Sequence, residues 1–169
     1  MTMIPRDLEA TDPDRKTAVL IVAGEDSAPD RAFEEIQRLF GDYFDQIVLM
    51  TIGLVDYPVV DSVRASEVGA YVRHTARGAL TTCVEQARKV GMEAVTCVAV
   101  GTDPVEEVER LSVDFARRCP AAMFFLGKLV FQNQKWYHPL LHGRTAESIQ
   151  RRLERHGLPV AVLPIVVPL

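Results

Sequence analysis

Five short apolar segments recur along this chain, and they constrain its fold more than any other feature. They are rich in Val, Ile, Leu and Phe, and Gly, Pro or charged residues bound them. A continuous apolar run of this length is typical of a strand that is covered on both faces. The sequence therefore predicts five buried strands, at Thr17–Gly24, Gln46–Val55, Glu93–Gly101, Ala121–Lys128 and Pro159–Val167.

Segments with helical periodicity separate the apolar segments. The clearest helix start follows the third strand, where Asp103 can accept a backbone N–H, Pro104 suits the first helical position and Glu106 comes three residues after the cap. Apolar residues elsewhere recur at spacings of three and four. Helices are therefore predicted over Ala28–Gly41, over a long segment that ends at Gly91, over Thr102–Arg118 and over Thr145–Gly157.

The long helix carries a predicted inward stripe. The segment before it, Asp56–Val68, contains Pro58 and is predicted to be irregular. Gly91 is predicted to end the helix in a left-handed conformation. The stripe is predicted to consist of Val72, Ala76, Ala79, Leu80, Cys83, Ala87 and Val90.

Strict alternation of strands and helices predicts a parallel sheet, because each helix returns the chain to the same end of the sheet. The expected fold is a Rossmann-like, three-layer α/β/α sandwich with a five-stranded parallel sheet. Ligands of such folds bind at the carboxyl ends of the strands. Those ends are predicted at Gly24-Glu25-Asp26, Gly53-Leu54, Gly101-Thr102-Asp103 and Gly127-Lys128.

Charge and composition limit the function. The net charge is −4, which argues against a general nucleic-acid-binding surface. No apolar run approaches the roughly 20 residues that span a bilayer, so direct membrane insertion is not expected. Three widely spaced Cys residues indicate neither a disulfide framework nor a zinc site, and a reducing cytoplasm fits best.

Residues 1–16 are predicted to form a flexible N-terminal leader. They contain two Pro and several charged residues and lack apolar periodicity. One domain is expected over residues 17–169, a length that suits a single core.

The chain resembles the universal stress protein family over nearly everything after residue 16. The similarity lies in "VLIVAGEDSAPDRAF", in "VAVGTDPVEEV", which is similar to that family's Gly-Asp-Pro entry to its third helix, and in Gly127, "GRTAE" and the final apolar strand. The resemblance implies strand order 3-2-1-4-5 and dimers joined through the last strand. In ATP-binding members it also implies an Asp after the first strand and a glycine motif after the fourth.

Several residues depart from the pattern of the ATP-binding members. Gly24 stands where the Asp is expected, so that Glu25 or Asp26 would have to replace its carboxylate. Val130 occupies the second Gly position of the motif, and its side chain would obstruct close approach of a phosphate. Twelve residues separate Val130 from Gly143, more than the motif has. The resemblance therefore favours an altered nucleotide site.

An anion could still bind at this edge of the sheet. The helix that begins near Thr145 would offer free N–H groups, and Arg144 and Lys128 could add charge-assisted hydrogen bonds. Alternatively, these cations are solvated surface charges. The candidate ligand-binding residues are Gly24, Glu25, Gly53, Gly127, Lys128, Gly143, Arg144 and Thr145. No cofactor is established, and ATP or another adenine nucleotide is the candidate.

A second, shorter resemblance covers "KWYHPLLHGRTA". This segment is similar to the C-terminal cytoplasmic domains of amino-acid permeases and related transporters. The matching residues are Trp136, Tyr137, His138, Leu140, Leu141, His142, Thr145 and Ala146. The resemblance implies a domain that senses a signal or docks on a transporter, and that does not itself transport.

No catalytic set is predicted. The sequence contains no Gly-x-Gly-x-x-Gly after the first strand, no Walker lysine motif and no Gly-x-Ser-x-Gly. His138 and His142 are four residues apart, but Pro139 separates them and no third metal ligand is near in sequence. The chain is therefore expected not to be an enzyme. Two hypotheses follow, a regulatory domain that binds a protein partner, and an ATP-binding signalling protein with slow or no hydrolysis.

The last apolar strand predicts a homodimer. A terminal strand at a sheet edge exposes unpaired N–H and C=O groups, and an apolar one favours pairing with a second copy. Pro164 and Pro168 each lack a donor, so the paired register is expected to avoid both or to use only part of the strand.

Overall fold

The computed structural model describes residues 6–22, 28–54, 62–131 and 144–167. The strands in this part of the chain are β1 (Thr17–Val22), β2 (Gln46–Leu54), β3 (Glu93–Gly101), β4 (Ala122–Phe131) and β5 (Val160–Val167). A 3₁₀ helix spans Arg6–Ala10, and the α-helices are α1 (Pro29–Phe40), α2 (Ser62–Ala79), α3 (Thr81–Lys89), α4 (Pro104–Arg118) and α5 (Arg144–Arg155).

The five strands form one parallel sheet in the order β3-β2-β1-β4-β5. Helices α4 and α5 pack on one face, and α1 and α3 pack on the other. Helix α2 lies against β2, β3 and α3. The predicted fold class and strand order are confirmed.

The central strand β1 explains why its sequence is apolar without alternation. All six of its residues are buried. Val19 and Ile21 point into the core beneath α4 and α5, whereas Ala18 and Leu20 point into the core beneath α1 and α3. A strand between two helical layers has no polar face, because successive side chains point to opposite sides of the sheet.

The predicted long helix is instead two helices. A helix already begins at Ser62, inside the segment predicted to be irregular, and the chain breaks at Leu80 before α3 starts. Leu80, Cys83 and Ala87 are buried as predicted. Ala79 is exposed, because it is the last residue of α2 and the chain turns inward at Leu80, before α3.

The end of this helix pair also differs in part from the prediction. Val90 is 56% exposed, since α3 ends at Lys89 and Val90 stands in the following turn. Gly91 has a φ of 78°, so the predicted left-handed termination is confirmed. The side chain of Val72 lies outside the described part of the chain.

The segment predicted as a flexible leader is packed over its described residues. Leu8, in the 3₁₀ helix, is only 1% exposed and belongs to the core beneath α4 and α5. The Arg118 guanidinium donates to the carbonyl oxygens of Glu9 at 2.7 Å and Thr11 at 3.3 Å. The Asp12 backbone also exchanges hydrogen bonds with the side chain of Gln46. These contacts and the buried Leu8 hold a segment that has no apolar periodicity.

Replacing Leu8 tests how much this segment contributes. Because Leu8 is buried, Leu8→Ala should lower the free energy of unfolding by about 2–5 kcal/mol. Leu39→Ala is the matched control, since Leu39 is 52% exposed and its truncation should cost well under about 1 kcal/mol. Urea unfolding followed by circular dichroism measures both. Equal losses would show that residues 6–16 are not part of the folded core.

Candidate functional site

The carboxyl ends of the five parallel strands lie along one edge of the sheet, where α/β proteins bind ligands. Near the middle of this edge, the last described pairs of β1 join Val22 to Thr51 of β2 and Ile21 to Leu126 of β4. Gly127 directly follows Leu126 on β4, and Gly53 lies two residues after Thr51 on β2. The register therefore places both predicted glycines beside the end of β1.

Gly127 is not at the tip of its strand. β4 continues to Phe131, and from Gly127 to Phe131 it pairs with Leu163–Val167 of β5. The prediction that β4 ends at Lys128 is therefore wrong. β4 is longer because the residues after Lys128 carry few turn signals and pair with the second half of β5.

Lys128 has an acidic neighbour. Its Nζ lies 3.3 Å from Oε1 of Glu147, which stands in the first turn of α5. Both side chains are partly exposed, so solvent screens the pair and its contribution to stability is small. The contact nevertheless places a carboxylate next to the cation that was predicted to bind an anion.

Arg144 and Thr145 are the first two residues of α5, and both are exposed. They stand where a helix offers unpaired N–H groups and a partial positive charge. The structure thus brings Lys128 close to the first turn of the helix that Arg144 and Thr145 begin. Gly24, Glu25, Asp26 and Gly143 lie outside the described residues, as do Trp136, Tyr137, His138, Leu140, Leu141 and His142.

The turn after β3 is well formed. The Asp103 carboxylate accepts from the backbone N–H groups of Val105 at 2.9 Å and Glu106 at 3.2 Å, which confirms the predicted cap of α4. Glu107 packs over Gly101 so closely that a Cβ at position 101 would lie 2.7 Å from its Cγ. A side chain at position 101 would therefore displace the side chain of Glu107.

A three-residue contact fixes α5 against α4. The Glu109 carboxylate accepts from Nη1 of Arg152 at 2.7 Å and lies 2.8 Å from Nε2 of His156. The hydrogen bond from Arg152, then the one from His156, hold the pKa of Glu109 below its usual range. The contact orients the helix whose first turn faces Lys128.

β5 lies at the sheet edge, next to a groove of about 350 Å³ between α1 and the strand. Arg31, Glu34 and Glu35 form its helical wall, and Pro164, Ile165 and Val166 form its strand wall. Nη1 of Arg31 donates to the carbonyl oxygen of Val166 at 3.0 Å. The groove opens beside the strand that was predicted to pair with a second copy.

The cysteines show no sign of reactivity. All three are buried, and Cys83 and Cys119 form no disulfide. Burial, followed by the charge of Asp30, raises the pKa of the Cys83 thiol to about 12. Burial also raises the pKa of Cys119. A thiol with a raised pKa is a poor nucleophile at neutral pH, so Cys83 and Cys119 act as small apolar residues.

Two further properties of the described residues limit the chemistry. Among them, no three His, Cys, Asp or Glu side chains come together in a way that could hold a metal ion. None of the described helices is long and apolar enough to span a bilayer.

Sequence reasoning missed Glu147 and Arg31. Glu147 is an acidic residue in the first turn of α5, a common position that carries no signal of a contact with a strand. Arg31 and Val166 are 135 residues apart, so no local pattern could have joined them. This contact could be predicted only from how α1 lies against β5 in the folded chain.

The charge on Glu109 should make the α4–α5 contact sensitive to acid. Because the folded-state pKa of Glu109 is lowered, its contribution is fully present above the unfolded pKa and is lost as the pH falls through the folded pKa. Glu109→Gln should therefore lower the urea midpoint at pH 7 and leave it nearly unchanged at an acidic pH below the folded-state pKa of Glu109. Glu93→Gln, which alters the exposed pair with Arg15, is the control. An equal loss at both pH values would contradict a charge effect.

A scan against protein-family models finds no match, and a search of curated proteins finds none. Among solved structures, a protein of the universal stress protein family from Burkholderia pseudomallei has 19% identity and a TM-score of 0.55, over 87% of this chain and 96% of its own. Universal stress protein UspA from Lactobacillus plantarum has 16% identity and a TM-score of 0.55, over 88% of this chain and 98% of its own. The chain therefore has the fold of the universal stress proteins.

Proposed function

We propose that this chain is a non-catalytic regulatory domain of the universal-stress-protein type, with an altered anion site and a role in binding protein partners. The observation that carries the proposal is the 3.3 Å contact between Lys128 and Glu147. A phosphate at the start of α5 would need that cation, and the Glu147 carboxylate would repel it.

The backbone of β4 supports the same conclusion. A phosphate loop offers free backbone N–H groups to its ligand. In β4, the N–H of Phe124 donates toward β5, to the carbonyl of Pro159. Since alternate residues of a strand point their N–H groups to the same side, those of Lys128 and Val130 also face β5. They are therefore directed toward the sheet and away from a ligand.

ATP binding is the second candidate. Gly53 and Gly127 flank the end of β1, and neither has a side chain that would block a ligand. By the same alternation, the backbone N–H of Gly127 faces the side of β1. This arrangement favours a signalling protein that binds an adenine nucleotide with slow or no hydrolysis, provided that Glu147 turns away.

The partners in this proposal are a second copy of the chain and a membrane transporter. The second copy pairs through β5, which lies at an open sheet edge. The transporter follows from the resemblance of the Trp136–Ala146 segment to permease domains, of which the structure describes only Arg144, Thr145 and Ala146. A reducing cytoplasm suits a chain whose three cysteines are buried and widely spaced.

Calorimetric titration with ATP and Mg²⁺ separates the two candidates. If the chain is a non-catalytic regulatory domain, we expect no measurable heat of ATP binding at micromolar protein concentration. We also expect a membrane transporter to copurify with the chain. Micromolar binding that Arg144→Glu abolishes would support the ATP-binding candidate instead. Arg117→Glu is the matched control, because Arg117 is an exposed arginine of α4 and the change in net charge is the same.

A further inference from the structure

Helix α5 carries a line of arginines on the side that faces away from the core. Successive helical residues are about 100° apart, so residues seven or eleven positions apart point within roughly 20° of the first. Arg144, Arg151 and Arg155 have this spacing, and all three are exposed. Ile149 and Leu153, on the opposite side of α5, are buried. The three arginines thus form an arginine stripe along the outer face of the helix.

The arginine stripe has no counter-charge within the part of the chain that the structure describes. No hydrogen bond or ion pair there reaches any of its three guanidinium groups. The two acidic residues of α5 have other partners. Glu147 contacts Lys128, and Glu154 accepts from Nε2 of Gln150 at 2.8 Å. The charge of the stripe is therefore available to another molecule.

Other arginines on this face of the sheet are engaged within the chain. Arg152 of α5 donates to the Glu109 carboxylate of α4 at 2.7 Å. Within α4, Arg110 lies 2.7 Å from Glu107. These arginines hold or neutralise neighbouring groups, whereas the exposed stripe has no comparable role in the fold.

A narrow basic line fits an acidic segment of a protein better than a broad anionic surface. By the same helical geometry, Glu147 and Glu154 lie together along one flank of the stripe. A membrane or a nucleic acid wide enough to cover α5 would meet these carboxylates as well as the arginines. The net charge of −4 adds to that repulsion. A guanidinium, in contrast, pairs bidentately with a single carboxylate.

The intervals along the stripe match those of a helix. With a rise of about 1.5 Å per residue, Arg144 and Arg151 are about 10.5 Å apart along the axis, and Arg151 and Arg155 are about 6 Å apart. An acidic helix packed alongside α5 reproduces both intervals. In a strand, side chains on one face recur about every 6.6 Å, which matches only the shorter interval.

We propose that the arginine stripe of α5 binds an acidic helix of a partner protein, through carboxylates that recur at intervals of seven and four residues. The inference rests on the partner role in the proposed function, and it names the surface and the chemistry of that partner. Each exposed ion pair is weak and is screened by salt. The three arginines therefore act together, and the complex is a transient one.

Peptide titration of the full-length, ¹⁵N-labelled chain tests the proposal by NMR. The probe is a helical peptide rich in Ala and Gln, with three Glu residues spaced seven and four positions apart. The control peptide has the same composition, with its Glu residues spread around the helix. The probe should bind about fivefold more tightly than the control peptide and should shift the amide resonances of residues 148–156. Added NaCl should reduce these shifts.

Removal of two stripe arginines should weaken the binding. Arg151→Gln combined with Arg155→Gln keeps good helix formers on α5 and leaves Arg144, beside the candidate anion site, unchanged. This double variant should bind the probe roughly five- to tenfold more weakly. Arg88→Gln combined with Arg117→Gln is the matched control, because it removes the same charge from exposed arginines outside the stripe. Its affinity should stay within about twofold of the unmodified chain.

The outcomes separate this surface from the proposed function. Equal binding of the two peptides, or equal losses in the two double variants, would overturn the proposal, because general charge attraction would then explain the binding. Tighter binding to phosphatidylglycerol vesicles or to a single-stranded oligonucleotide, lost in the Arg151 and Arg155 variant, would overturn it in favour of a membrane or a nucleic acid. None of these results would show ATP binding, and the ATP titration tests the proposed function independently.

Discussion

The burial of β1 on both faces is the constraint on which the rest of this structure depends. Successive side chains of β1 point to opposite faces of the sheet, and all of them are buried. A helical layer must therefore cover each face. That requirement forces crossovers, and crossovers force parallel strands. The carboxyl ends of all the strands lie at one edge of the sheet because of this packing. No ligand is needed to explain that arrangement.

The fold was predictable for the same reason. Apolar runs such as Thr17–Val22 and the cap at Asp103 are local signals, and each of them corresponds to an element of the structure. The break at Leu80 was not predictable, because both sides of it have helical periodicity and tertiary packing decides where the chain turns. The packing of Leu8 was missed because a single apolar residue makes no pattern.

For the candidate site, only the location could be predicted from the sequence. Sequence order put Gly53 and Gly127 near the end of β1, and the register agrees with that placement. The sequence could not show that β4 runs on beside β5, or that Glu147 meets Lys128, because each depends on the alignment of segments that are far apart in the chain. Function is determined by such alignments more than by the fold that carries them.

At the proposed anion site, the contact of Glu147 with Lys128 would place a carboxylate of the chain itself where a ligand would bind. A carboxylate attached to the protein is present at an effective concentration set by geometry, of the order of mM for a short tether. A free anion would have to displace this carboxylate, and because both side chains are partly exposed the displacement would cost little. The selectivity of this edge for one anion over another would then depend on how easily the Glu147 side chain moves away from Lys128.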